Sequence, residues 1–123
     1  QRQMCIRDSH KRKAHHNENF LSIVQRNDPG PSFVYPDWLI TVAFYVGLQY
    51  VDAKLAGLKP PLHPHTHSER NTFVASNLPR QKVKVYFFLK AKSEYARYFP
   101  DSETKISDTM VNTCVNLALT EFV

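Results

Sequence analysis

The segment from Tyr35 to Asn71, YPDWLITVAFYVGLQYVDAKLAGLKPPLHPHTHSERN, constrains the fold more than any other part of the chain. It reads as one long, nearly all-apolar helix, a proline-rich turn, and a second helix that opens with histidines and an Arg-Asn pair. A helix that is apolar almost all round has no solvated face, so other elements must surround it. Its apolar run, Trp38 to Val51, is interrupted by Thr41, Gly47 and Gln49 and closed by Asp52 and Lys54. That run is too short for a membrane span and reads as a core helix. The pattern starts the helix at about Asp37, an N-cap behind Pro36, and ends it at about Leu58, where Gly57 and Pro60-Pro61 stop it.

Four further helical patterns are available to cover it. After Lys11-Arg12-Lys13, the positions Phe20, Ile23 and Val24 give a first helix one apolar face, ending near Gln25. Asn27-Asp28-Pro29-Gly30-Pro31 then breaks the chain. A short helix is expected from about Pro64 to before Leu78-Pro79. Between Arg80 and Phe99 the local signal conflicts, because Val83, Val85 and Phe87 alternate like a strand. Val85, Phe88, Leu89, Tyr95, Ala96 and Phe99 share one helical face over a longer window, and that pattern decides for helix. Ile106, Met110, Cys114, Leu117 and Phe122 mark a fifth helix. With only three glycines, tight hairpins and glycine-cradled phosphate sites are disfavoured. The expectation is an all-α domain, a four- to five-helix up-and-down bundle.

Residues 1–13 are expected to lie outside that bundle, with the single domain covering 14–123. Met4 to Ser9, MCIRDS, resembles the translation of a transposase sequencing adapter, so residues 1–9 are excluded from fold reasoning. Without Cys5, Cys114 stands alone in an apolar helical pattern, the setting of a buried structural thiol rather than a nucleophile. A lone cysteine makes no intrachain disulfide and no cysteine-based zinc site, which is consistent with a cytoplasmic, reducing setting. The formal charge of +5 permits anionic partners without requiring them.

Few constellations carry chemistry. His63-Pro64-His65-Thr66-His67, with His15-His16 as extra ligands, could feed a metal, but on a helix His65 points away from the face shared by His63 and His67. Polar residues at a helix start explain the histidines better, so no metal is expected. Tyr45, Gln49 and Asp52 stand at i, i+4 and i+7 on the core helix, and His67, Arg70 and Asn71 open the next one. A hydrogen-bonded network between the two stripes is therefore expected, serving either structure or a ligand pocket. In the second reading Arg70 pairs with phosphate, His67 and Asn71 hydrogen-bond, and Tyr45 bounds the pocket. On the fourth helix Lys82, Lys90 and Arg97 share a side with Tyr86 among them, a basic stripe with an interleaved aromatic. Such a stripe is either a nucleic-acid face or an ordinary solvated one. Nucleophile-elbow, Walker and Rossmann motifs are absent, so no cofactor is expected.

YPDW, AFYVGLQYVDAKLA and HPHTHSERN together resemble the HEPN superfamily (higher eukaryote and prokaryote nucleotide-binding domains). The likeness is to a branch with a tyrosine-rich second helix followed by His-Pro-x-x-His-x-x-Arg-Asn, here His63, Pro64, His67, Arg70 and Asn71. LKAKSEYARY, Leu89 to Tyr98, is similar to that family's later helix. The resemblance implies a helical bundle, often a homodimer, in prokaryotic toxin–antitoxin or defence systems, with RNA, a nucleotide or a nucleotidyltransferase-type protein as partner and no membrane. Catalytic members use Arg-x4-6-His for acid–base help and phosphate charge stabilisation. In this chain no arginine has a histidine five to seven positions later, and no histidine follows His67. The expectation is therefore a non-catalytic domain that binds RNA, a nucleotide or a cognate protein. The alternatives are a degenerate metal-independent RNase using His67 and Arg70, and a structural homodimer or partner-binding module.

Overall fold

The computed structural model describes residues 2–28, 30 and 32–122, with side chains from Ile6 onward. Among the described residues the secondary structure is entirely helical: α1 (Arg2–Asn27), α2 (Pro36–Ala56), α3 (His67–Asn77), α4 (Arg80–Tyr98) and α5 (Asp108–Thr120), with one 3-10 turn at Ser102–Thr104. The all-α expectation holds, and the strand-like alternation after Val83 is overridden by helical packing of Val85, Tyr86, Leu89 and Ala96.

Helix α2 is the hub. Fifteen of its 21 residues are buried, because α1 packs along one flank while α4 and α5 cover the other. It is long and apolar enough to cross a membrane, but most of its surface is already occupied by other helices of the bundle. Gly47 is where that packing is tightest: a Cβ there would stand 2.9 Å from Phe122 Cε2 and 3.4 Å from Leu89 Cδ1. Phe122 is itself 2% exposed, so the residues after α5 close the core.

The four long helices alternate in direction. Gly57 lies against Arg7, and Phe20, Leu21 and Val24 share a groove with Trp38, Leu39 and Val42, which sets α1 antiparallel to α2. Ile40 beside Tyr95 and Gly47 beside Leu89 do the same for α4. Consequently α1 ends, α2 begins and α4 ends at one pole of the molecule. The start of α1, the end of α2 and the start of α4 meet at the other.

Three boundaries differ from the sequence reading. Helix α1 does not begin after Lys13; its described backbone is helical from Arg2, and His10 already bonds α2. Tyr35 rather than Asp37 caps α2, with Pro36 in the first turn, so Asp37 instead faces the positive end of the helix dipole. Helix α3 starts at His67, not near Pro64, because Thr66 accepts the amide of Glu69 at 3.0 Å while the Glu69 side chain accepts the amide of His65 at 2.8 Å.

Candidate functional site

The polar group expected between α2 and α3 exists in part. Arg70 Nε donates to Asp52 Oδ1 at 2.8 Å, and Nη2 donates to Oδ2 at 3.1 Å. Asp52 is 6% exposed at its side chain and Arg70 14%, so this is a largely buried, two-pronged ion pair. Nη1 of Arg70 reaches His67 Nδ1 at 3.3 Å. Burial works against the charged guanidinium, but the hydrogen bonds and charge of Asp52 outweigh it and raise its pKa.

This geometry gives Arg70 a different role from phosphate reading. All three guanidinium nitrogens are engaged within the chain. Val74 is the one fully buried residue of α3 and Phe73 packs partly buried beside it, so the apolar grip of the helix on the bundle is small and the Asp52–Arg70 pair acts as its latch. Asn71 extends the latch, accepting the Tyr86 hydroxyl at 3.5 Å. Burial pushes the Tyr86 phenol up to about 12; Arg70 opposes the rise, while Asp52 and Glu94 add to it.

The other two members of the expected cluster go elsewhere. Gln49 accepts from His10 Nδ1 at 2.9 Å, on the α1 flank. Tyr45 meets the end of α4, where its hydroxyl accepts from Arg97 Nη1 at 3.3 Å. A stripe at i, i+4 and i+7 spans enough of the helix circumference for two flanking helices to divide it.

The basic stripe of α4 is likewise divided. Lys82 Nζ donates to the Glu121 carbonyl, and Lys90 pairs with Glu94 at 3.1 Å. Tyr86 is 1% exposed and cannot stack on a base; that expectation is corrected by α2 and α3 closing over it. Arg97 lies over the rings of Tyr98 at 5.0 Å, Tyr45 at 5.8 Å and Phe44 at 6.0 Å. Among the described residues no group of three His, Cys, Asp or Glu side chains is placed to hold a metal, and His63 and His65 precede the helix they were expected to open.

A more extensive surface was not singled out from the sequence. Phe20, Ile23, Val34, Tyr35, Trp38, Tyr45, Tyr95, Tyr98 and Phe99 are the exposed large apolar side chains. Among the described residues eight of these belong to the pole where α1 ends, α2 begins and α4 ends, and Tyr45, halfway along α2, adjoins it through Arg97. Phe20, Tyr35 and Trp38 rim a wholly apolar groove of ≈ 210 Å³ between α1 and α2, floored by Leu21, Leu39 and Val42. Arg26, Lys92, Arg97, Lys105 and Lys90, which pairs with Glu94, share this half with Asp28, Asp37, Glu94, Asp101, Glu103 and Asp108, five cations against six carboxylates, so its charges nearly cancel. The opposite pole carries Arg7, Lys11, Arg12, Lys13, Lys54, Lys59, Arg80, Lys82 and Lys84.

Comparison with protein-family models, curated proteins and solved structures gave no match to this chain.

Proposed function

We propose that this chain is a non-catalytic, HEPN-like helical module that works as a homodimer joined through its aromatic pole. The observation that carries this reading is the gathering of the exposed large apolar side chains at one end. Exposed large apolar side chains gathered at one end mark interaction surfaces, and Trp, Tyr and Arg are the side chains that dominate interface energetics.

Charge selects a second copy as the occupant. The aromatic pole is nearly neutral, so it meets its own copy without like-charge repulsion, whereas the basic pole would repel its copy. That near-neutrality also makes RNA and anionic membranes poor occupants of this end. A two-fold contact requires one patch to hold both projections and recesses. Here Trp38, 60% exposed, and Phe20, 52% exposed, project beside the apolar groove they rim. A catalytic reading finds little support, since Arg70 is fully engaged by Asp52 and His67.

Sedimentation equilibrium tests the proposal. The 14.3 kDa chain is expected to sediment at twice that mass at micromolar concentration. Trp38→Glu, which adds charge at an exposed position, is expected to sediment as a monomer with unchanged helicity. A wild type that stays monomeric at high concentration would refute the second copy and leave a different protein as the occupant.

A further inference from the structure

The basic pole contains a cleft that the dimer reading does not use. It has two compartments, ≈ 360 Å³ and ≈ 260 Å³, which share Lys11, Ala53 and Lys54 as a common wall. Arg7, Asn77 and Pro79 line the larger one, and His15, Tyr50 and Phe122 the smaller. Among the described residues no carboxylate lines either compartment. Two acids adjoin these walls: Glu18, whose Oε1 is already occupied by the Tyr50 hydroxyl at 2.7 Å and His15 Nδ1 at 2.9 Å, and Glu121, whose Oε1 accepts from Gln81 Nε2 at 3.2 Å.

We infer that this cleft, with Lys11 of α1 and Lys54 of α2 on its walls and Lys82 of α4 beside them, is a binding site for linked phosphate groups. Three helices bring like charges together here, which costs folding free energy unless an anion joins them. The strain registers on Lys54, whose pKa is lowered by burial and then by the charges of Lys82 and Lys11. Lys82 gives one N–H to the Glu121 carbonyl, and an ammonium has three to give. Pro79 on the cleft wall is the N-cap residue of α4, a 19-residue helix with no side-chain cap and no acidic residue in its first turn. The positive end of that helix dipole therefore lies at the cleft without a neutralising carboxylate from its own first turn.

A pair or chain of phosphates suits the site better than a single one, because the lysines stand on three separate helices and the shared wall of Lys11 and Lys54 joins two compartments. Arg7 adds a fourth cation, with its buried Nε lacking a hydrogen-bond partner among the described residues. It belongs to the segment that resembles an adapter, and the site rests on the three lysines without it. The ligand chemistry is shared by free polyphosphate compounds and by the backbone of a single-stranded nucleic acid.

The test is calorimetric titration of the 123-residue chain with sodium tripolyphosphate at low and at physiological salt, wild type against Lys54→Gln and Lys11→Gln/Lys54→Gln. The expected result is salt-sensitive binding that weakens at least tenfold in the double variant, while Lys59→Gln, outside the cleft walls, leaves it unchanged. Circular dichroism checks that each variant is folded. Absence of wild-type binding, or equal binding by the double variant, would overturn the assignment. Labelled oligouridine displaced by tripolyphosphate would identify a nucleic-acid backbone as the source, and tripolyphosphate binding without oligouridine binding would identify a free polyphosphate compound. This inference is independent of the dimer, so a monomeric wild type would refute that reading and leave this one standing.

Discussion

If the Asp52–Arg70 pair is a latch, breaking it from either side should cost much more than losing a surface ion pair. Arg70→Ala leaves a carboxylate with 6% side-chain exposure and no counter-charge from α3, and Asp52→Ala strands the guanidinium instead. Removing one partner of a buried pair costs about 3–5 kcal/mol, against about 0–1 kcal/mol for an exposed pair. The melting entropy of a chain this size converts that loss into a fall in Tm of about 12–20 °C. Replacing both members by apolar residues, Asp52→Leu with Arg70→Met, should recover most of the loss, because it removes the stranded charge along with the pair. The assay is a set of urea and thermal unfolding curves for the four proteins, with amide exchange on α3 as a local readout. Protection should fall first in α3, whose buried set is Val74 alone. Single substitutions costing less than about 1 kcal/mol would refute the latch and return Arg70 to the list of groups free to bind a ligand.

Other outcomes follow from the packing. Ser93 is fully buried and its Oγ lacks a partner among the described residues, so Ser93→Ala should raise stability by about 1 kcal/mol in urea unfolding. Gly47→Leu should lower it by about 2–3 kcal/mol, since even a Cβ would press on Phe122. Burial raises the Cys114 thiol from 9.0 to about 11 and the Tyr86 phenol from 10.0 to about 12. The folded state therefore holds protons that the unfolded chain has lost, and stability should decline as pH rises through 9 toward 12. Urea midpoints at pH 8 and pH 10.5 check the sign, and a higher midpoint at pH 10.5 would contradict it. At neutral pH Cys114 should resist thiol reagents until the protein unfolds.

The elements carried by long periodic patterns were legible in the sequence. The core helix is one, because an all-round apolar face has few solutions; α4 is another, because its 3.6-residue pattern outlasts the local alternation. A network between the stripe of Asp52 and that of Arg70 was legible because both lie on faces of neighbouring helices, but the Asp52–Arg70 pair itself was not singled out. Gln49 could not be placed, since its side depends on where α1 docks. Tyr86 looked accessible among lysines, and its burial follows from α2 and α3 meeting over it. The extension of α1 back to Arg2 was also hidden, because its polar and charged residues carry no apolar periodicity. The aromatic pole is the clearest case: Phe20, Trp38 and Tyr98 are far apart in sequence, and antiparallel packing alone brings their ends together. The basic cleft escaped notice for the same reason, with Lys11, Lys54 and Lys82 on three different helices.

The chain has a single tryptophan, and it stands on the surface proposed to join two copies. Trp38 is 60% exposed in the protomer, so its fluorescence reports directly on whether a second copy covers it. Diluting the protein from tens of micromolar to low nanomolar should move the emission maximum to the red along one dissociation curve. An emission maximum that stays at its exposed position across the whole range, with Trp38 accessible to iodide throughout, would contradict the homodimer.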